Sequence, residues 1–319
     1  MRRWTWLWLV ALPVLAHAQP TARLYRIGVV YQGGTYEAMV DGLRAGLKEA
    51  RLVEGKNYVL HLRPARGEAI EPMAKQLEAE RVDVICSFTT TLTLRTKQAT
   101  RDVPIVFYAG SDPVRVGLVK SFAKPGDRLT GLHAVSTGLT PKRLELLQRM
   151  LPQARRVGAY YQSRIVPSTR DSLELGRQAA KKLGLEFVER PFDSVDDLLA
   201  QLRALRPGEL DVFFTVGDSL ATAVTAQIVP VAREKRLPLI MADQNAIDQG
   251  ALAAYGHNFF EVGRLVARPV RLVLEGAKPG DIPVEIYDKV QLALNLKVAK
   301  QLGLTIPEPI VIRADRVIR

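Results

Sequence analysis

The chain has 319 residues, 47% hydrophobic and 24% charged, with a formal net charge of +12 and a single cysteine. One cysteine excludes an intramolecular disulfide, so stability must come from core burial, for which this length suffices, most naturally in two domains. The basic excess does not indicate nucleic acid, because Lys and Arg stand singly among acids, as in Lys48-Glu49 and Arg233-Glu234-Lys235, with no basic run interleaved with aromatics.

Arg2 and Arg3, the apolar run Trp4 to Leu15 and the small residues of Ala16-His17-Ala18 have the order of a secretory signal peptide. Cleavage is expected after Ala18. The apolar run is too short to span a bilayer as a stable helix. No cysteine follows the expected cleavage point, which argues against a lipid anchor. An exported, disulfide-free chain fits the periplasm.

In chain order, Leu24 to Tyr31 reads as a strand ending in Gln32-Gly33-Gly34-Thr35. A helix then runs to about Ala50, with Met39, Leu43 and Leu47 as its core stripe and Thr35 as its N-cap. Asn57 to Arg63 is a strand and Ala69 to Glu80 a helix, with Pro72 in its first turn. Val82 to Cys86 is an apolar run followed by the hydroxyl-rich turn Ser87, Thr89, Thr90 and Thr91. A helix reaches about Thr100, and the strand Ile105 to Tyr108 ends in Ser111-Asp112-Pro113. Short apolar runs separated by helices are the pattern of a parallel, doubly wound sheet.

After a turn at Lys124 to Asp127 and a strand over Leu129 to Ala134, the first domain crossing is expected near Val135 to Thr140. The rhythm then restarts. Strands are expected at Arg156 to Tyr161, Leu185 to Arg190, Leu210 to Val216, Pro238 to Ala242 and Leu252 to Tyr255. Helices are expected at Thr140 to Leu151, Thr169 to Leu183, Val195 to Leu205 with Ser194 as cap, and Ala221 to Lys235 interrupted at Pro230. The helix Phe260 to Leu274 follows the complete second unit and is expected to pack back on the first. The tail reads as strand Val290 to Leu294, helix Leu296 to Leu302 and an apolar end at Ile310 to Ile312.

No catalytic set emerges. The three histidines beyond the signal segment, His61, His133 and His257, are far apart and fit no metal or triad motif. His61 reads as structural, whereas His257 follows a strand end. Gly33-Gly34 is a fragment of a dinucleotide fingerprint, with no acidic residue closing the second strand. The chain is read as a non-enzyme without cofactor or metal.

Ligands in open α/β sheets sit beyond the carboxyl ends of the strands. The loops there carry Gln32, Gly34, Thr35, Thr89, Thr90, Thr91, Asp112, Gln162, Asp218, Asp243 and Tyr255 as candidate ligand-binding residues. Hydroxyls and N–H groups at a helix start suit a carboxylate, and an aspartate suits an ammonium, so the set suits an amino acid. Tyr31, Tyr36, Phe88, Tyr108, Tyr160, Tyr161 and Tyr255 stand near enough to sandwich an apolar or aromatic group. For any one of the Ser, Thr and Asp residues, simple helix capping is the competing role.

An ordered set of segments also carries a resemblance. It comprises Asp112-Pro113 with Gly117-Leu118-Val119, Lys124-Pro125-Gly126, Leu129-Thr130-Gly131-Leu132, Lys142-Arg143-Leu144-Glu145-Leu146-Leu147, Gly250 to Gly256, Gly276 to Glu285 and Leu294-Asn295-Leu296-Lys297. Together they make the chain resemble the ABC-transporter solute-binding proteins of the tryptophan/tyrosine-uptake type, over nearly its whole mature length. It departs from them in having Thr90-Thr91 for Thr-Pro and Gln162-Ser163-Arg164 for Asn-Pro.

The resemblance implies a type I periplasmic-binding fold: α/β, two doubly wound parallel-sheet lobes joined by three crossover segments. The lobes would be residues 24–136 plus 258–285 and residues 137–257 plus 286–319. It implies capture of a small polar ligand, an amino acid such as an aromatic one, in the interlobe cleft by hinge closure. Delivery would be to an inner-membrane ABC permease, by a monomer. The alternative is an exported sensor presenting a small carboxylate or sugar to a receptor.

Overall fold

The computed structural model describes residues 23–164 and 166–319; the expected signal peptide lies outside them. In chain order the first elements are β1 (Tyr25–Tyr31), α1 (Glu37–Glu49), β2 (Tyr58–Pro64), α2 (Ile70–Ala79), β3 (Val84–Phe88), α3 (Thr90–Ala99), β4 (Ile105–Ala109) and β5 (Leu129–His133). Then come α4 (Thr140–Met150), β6 (Arg156–Gln162), α5 (Pro167–Leu183), β7 (Glu186–Phe192), α6 (Val195–Ala204), β8 (Val212–Thr215), α7 (Ser219–Ala223), α8 (Thr225–Glu234), β9 (Leu239–Asp243) and α9 (Ala246–Gln249). The last are β10 (Ala253–His257), α10 (Phe259–Leu274), β11 (Glu285–Ile286), β12 (Gln291–Asn295), α11 (Leu296–Leu302), α12 (Glu308–Ile312) and β13 (Arg316–Ile318).

Two sheets result. The first has the order β11-β5-β4-β3-β1-β2 and the second β13-β12-β10-β9-β8-β6-β7. Every pairing is parallel except β10 with β12. The central strands are buried along their length, as the continuous apolar runs require of strands covered by helices on both faces. The chain passes between the sheets three times: after β5, after β10 and between β11 and β12.

The Met39, Leu43 and Leu47 stripe of α1 is fully buried, as the spacing predicts. It packs against α10, which returns to the first sheet. The crossing is close enough that a Cβ on Gly263 would stand 2.0 Å from the Met39 carbonyl oxygen, so only glycine fits there. Arg264 adds a 3.1 Å pair with Glu49.

Two expectations are corrected. Thr35 does not cap α1, because Gly34–Tyr36 forms a 3-10 turn and the α1 N-cap is Tyr36, without a side-chain bond. The helix expected over Ala221 to Lys235 does not break at Pro230, which lies inside α8. It breaks at Val224, where the Thr222 carbonyl is taken by the Thr225 hydroxyl at 2.8 Å instead of continuing the helical ladder. The two- and three-residue strands β11 and β13 and the short α9 were not anticipated. Among the described residues, no helix is long and apolar enough to cross a membrane, and no group of three or more His, Cys, Asp or Glu residues is placed to hold a metal ion.

Candidate functional site

The carboxyl ends of both sheets face one another across a cavity of about 570 Å³, counted as empty space including its solvent-open part. The wall from the first sheet is the start of α3 (Thr89, Thr90, Thr91) with Tyr36, Tyr108 and Phe259. Tyr36 stacks on Phe259 with ring centroids 4.9 Å apart, and Tyr108 meets Phe259 edge-on at 6.3 Å. The facing wall is Ser168, Gly217, Asp218, Ser219, Thr222 and Ala242. Ser136, Thr137 and His257, on the crossing segments, close one end of the cavity.

The two walls are bonded directly. Gln32 Nε2 donates to Ser219 Oγ at 2.6 Å, and the Thr35 hydroxyl donates to the Thr222 carbonyl at 3.1 Å. Gly34 (φ +61°) lies so near α7 that a Cβ on it would stand 1.8 Å from the Ala223 carbonyl oxygen. Arg115 pairs with Asp171 on one flank, and Arg164 with Glu68 at 3.6 Å on the other. These surface pairs are worth little individually.

At the start of α3, Thr89 accepts the Leu92 N–H at 3.3 Å as N-cap. Thr90 accepts the Ser111 N–H at 3.2 Å. The N–H groups of Thr90 and Thr91 belong to the first turn, where no helical carbonyl can reach them. Thr89 adopts φ +134°, ψ 157°, a region used almost only by glycine. Thr89→Gly is therefore expected to raise stability by about 1 kcal/mol. The released strain, of about 1–3 kcal/mol, exceeds the few tenths lost from the cap and the added entropy of the unfolded chain. Urea denaturation checks this, and a lower midpoint would mean that the conformation is unstrained.

Charge at the site is buried and sparsely compensated. Asp218 caps α7, with one oxygen accepting the Leu220 and Ala221 N–H groups at 3.0 and 2.9 Å and the other accepting the Gln162 N–H at 2.9 Å. Burial nonetheless raises its carboxyl above the ordinary range. Asp243 is fully buried at the end of β9. Burial, followed by nearby Tyr108, Asp243 and Asp218, raises the Tyr36 phenol, and burial likewise raises that of Tyr108.

Arg143 on α4 is also fully buried. It donates from Nε to the Tyr255 carbonyl at 2.8 Å and from Nη2 to the Ser136 carbonyl at 3.0 Å, tying α4 to β10 and to the first crossing. Burial lowers its guanidinium to about 10. His257 stands between the other two crossings, with Nδ1 3.0 Å from the Lys289 carbonyl and Nε2 3.4 Å from that of Val135. Burial pushes its pKa down.

Of the residues singled out from sequence, Thr89, Thr90, Thr91 and Asp218 line the cavity. Gln32, Gly34 and Thr35 make the wall-to-wall contacts. Gln32, Thr91 and Gln162 line an outer cavity at the cleft mouth, together with Arg95 and Arg164. Asp112 is exposed, accepts the Val114 and Arg115 N–H groups, and lines a separate cavity beside Arg115 and His133. Asp243 is fully buried next in sequence to the lining Ala242 and is not itself among the lining residues. Tyr255 packs against the second-sheet core, and its carbonyl accepts from Arg143. Among the aromatic candidates, Tyr36 and Tyr108 line the cavity, whereas Phe88 and Tyr160 are core. Phe259, Ser136, Ser168, Thr222 and Arg143 were not singled out; Phe259 and Ser136 lie beside the crossings, and Ser168 and Thr222 lie in the first turns of α5 and α7, beyond strand ends.

Comparison with known proteins follows this geometry. A tyrosine-binding protein from Clostridioides difficile (strain R20291) is 28% identical over 265 residues, covering 82% of this chain and 76% of that one. A conserved domain protein from Vibrio cholerae O1 biovar eltor aligns with TM-score 0.82 at 27% identity over 92% of this chain and all of that one. The ABC domain in complex with L-Trp from Streptococcus pneumonia aligns with TM-score 0.82 at 23% identity, over 93% of this chain and all of the other. A substrate binding protein with adhesive properties from Clostridium difficile, in its ligand-free, open structure, aligns with TM-score 0.59 at 25% identity over 92% and 99%. The fold is that of the type I periplasmic-binding proteins. Residues 26–318, which hold both sheets and every wall of the cavity, match the family model described as ABC transporter substrate binding protein, and the chain belongs to that family.

Proposed function

We propose that this protein captures an aromatic amino acid between its lobes, closes over it by a hinge at the three crossings, and delivers it to an inner-membrane ABC permease. The lobes in this reading are residues 24–136 plus 258–285 and residues 137–257 plus 286–319, and the protein works as a periplasmic monomer. The observation that carries the reading is the cavity itself. An aromatic wall (Tyr36, Tyr108, Phe259), continuous with the α3 start, faces the buried Asp218, and the buried Asp243 stands next in sequence to the lining Ala242. Rings accept a flat apolar side chain, the aspartates an ammonium, and first-turn N–H groups and hydroxyls a carboxylate.

The tyrosine-binding relative supports an aromatic ligand. The wall-to-wall bonds, together with the lower TM-score against the open structure, support hinge closure. The test is a thermal-shift screen of the mature protein with amino acids, sugars and dicarboxylates, followed by calorimetry. L-tyrosine or L-tryptophan at a hundred times its dissociation constant is expected to add about 2.7 kcal/mol of stability, a shift of roughly 5 °C. A shift with sugars or dicarboxylates and none with amino acids would refute the proposal.

A further inference from the structure

We propose that capture is proton-linked: the ligand's ammonium enters the Asp218–Asp243 end of the cavity and displaces a proton held on the Asp243 carboxyl. This rests on the amino-acid reading above. In the exchange, the neutral carboxyl loses its proton to solvent and the resulting carboxylate pairs with the ammonium, so charge and atoms balance.

Asp243 is fully buried at the end of β9, next in sequence to Ala242 and in register with His257 on β10, both of which line the cavity. Its Oδ1 accepts the Asn245 N–H at 3.2 Å, and its Oδ2 has no hydrogen-bond partner among the described residues. A buried carboxylate without a cation is costly, so the neutral form is favoured until a cation arrives. Burial pushes this carboxyl up to about 8.

The groups around it do not supply that cation. His257 pairs in register on β10 and is held below its ordinary pKa by burial. Asp248 on α9 adds negative charge. Asp218 at the start of α7 is another acid, occupied by backbone N–H groups. Arg143 on α4 donates its Nε and Nη2 to the Tyr255 and Ser136 carbonyls, leaves Nη1 without a partner among the described residues, and makes no hydrogen bond to Asp243. From the other lobe, the phenols of Tyr36 and Tyr108 both feel the Asp243 charge.

The sign follows. The free protein keeps the proton up to about pH 8, and the complex does not. Affinity for an amine should therefore rise with pH between 6 and 8, by as much as tenfold per unit, and level off above.

The test is calorimetry of L-tyrosine and L-tryptophan at pH 7 in phosphate and in Tris, whose ionisation enthalpies differ. The expected result is a buffer-dependent enthalpy equal to release of nearly one proton. Asp243→Asn should bind at least tenfold more weakly at pH 8, with no buffer dependence and a flat pH profile. The amine-free analogue 3-(4-hydroxyphenyl)propionate should release no proton. A buffer-independent enthalpy for a bound amino acid in the unaltered protein would overturn the proton link and leave the amino-acid reading standing. Failure of both amino acids to bind would overturn both. The unaltered protein decides the matter even if the variant does not fold.

Discussion

Gly34→Ala should leave the protein folded and weaken capture of L-tyrosine or L-tryptophan at least a hundredfold. The added Cβ would lie 1.8 Å from the Ala223 carbonyl oxygen and 2.8 Å from its carbon. Real Cβ atoms essentially never come so near, and the obstacle is backbone, which cannot swing aside. Gly34 follows β1 of the first sheet, whereas Ala223 ends α7 on the second. Parting the walls relieves the clash, so the variant favours an open arrangement in which Gln32–Ser219 and Thr35–Thr222 are also broken. A hundredfold loss corresponds to about 2.7 kcal/mol of bias against closure.

Alanine at a positive φ also carries about 1 kcal/mol of strain of its own. Gly55→Ala controls for this, because Gly55 has φ +79° and nothing within 4 Å of its added Cβ. It should match the strain without the loss of affinity. Small-angle scattering should show that Gly34→Ala fails to contract with ligand. Wild-type affinity in Gly34→Ala would show that the two walls do not meet in the bound state.

Arg143→Ala should lower stability by about 3–5 kcal/mol, the largest effect expected of a single side-chain truncation here. The side chain is fully buried, so its removal leaves a void as large-to-small core changes do. It also strips charge-assisted bonds from the Tyr255 and Ser136 carbonyls. Arg143→Met should recover half or more of the loss, because it refills the volume and removes the burden of a buried charge with no carboxylate among its hydrogen-bond partners. Urea denaturation of the two variants decides this. If Met is as damaging as Ala, the hinge bonds outweigh packing; if Ala is harmless, the side chain is not a structural tie.

The parallel-sheet rhythm was legible because its signals are local. Apolar runs such as Val84 to Phe88, the α1 stripe, the proline opening α4 and the Ser194 cap each follow from spacing or from one residue's backbone chemistry. The misses are tertiary. Thr35 has the chemistry of a cap, but its hydroxyl is claimed by Thr222, 187 positions away. Arg143 stands beside Lys142 at the start of an amphipathic helix, with nothing local to mark it as buried, yet it bonds the Ser136 carbonyl on the first crossing and the Tyr255 carbonyl of β10. The site was legible as strand-end loops, and this brought Thr89, Thr90, Thr91 and Asp218 to the cavity. Which strand ends share one cavity depends on how the lobes meet, so Asp112 falls in a neighbouring space and Phe259 enters from the crossing after β10.

The seam between α1 and α10 has a bearing on the order of folding. Glu49 and Arg264 meet across 215 positions of chain, so α1 is synthesised long before the helix that covers it. At ordinary elongation rates of 5–20 residues per second the wait is roughly 10–40 s. Until then Met39, Leu43 and Leu47 lack their cover, and the first sheet also lacks its edge strand β11. Closing so long a loop is slow, and a chain held in this state stays unfolded or loosely collapsed for most of its synthesis. The first sheet of this protein, although it begins at the amino end, can be finished only after β11, when most of the second sheet has already been made.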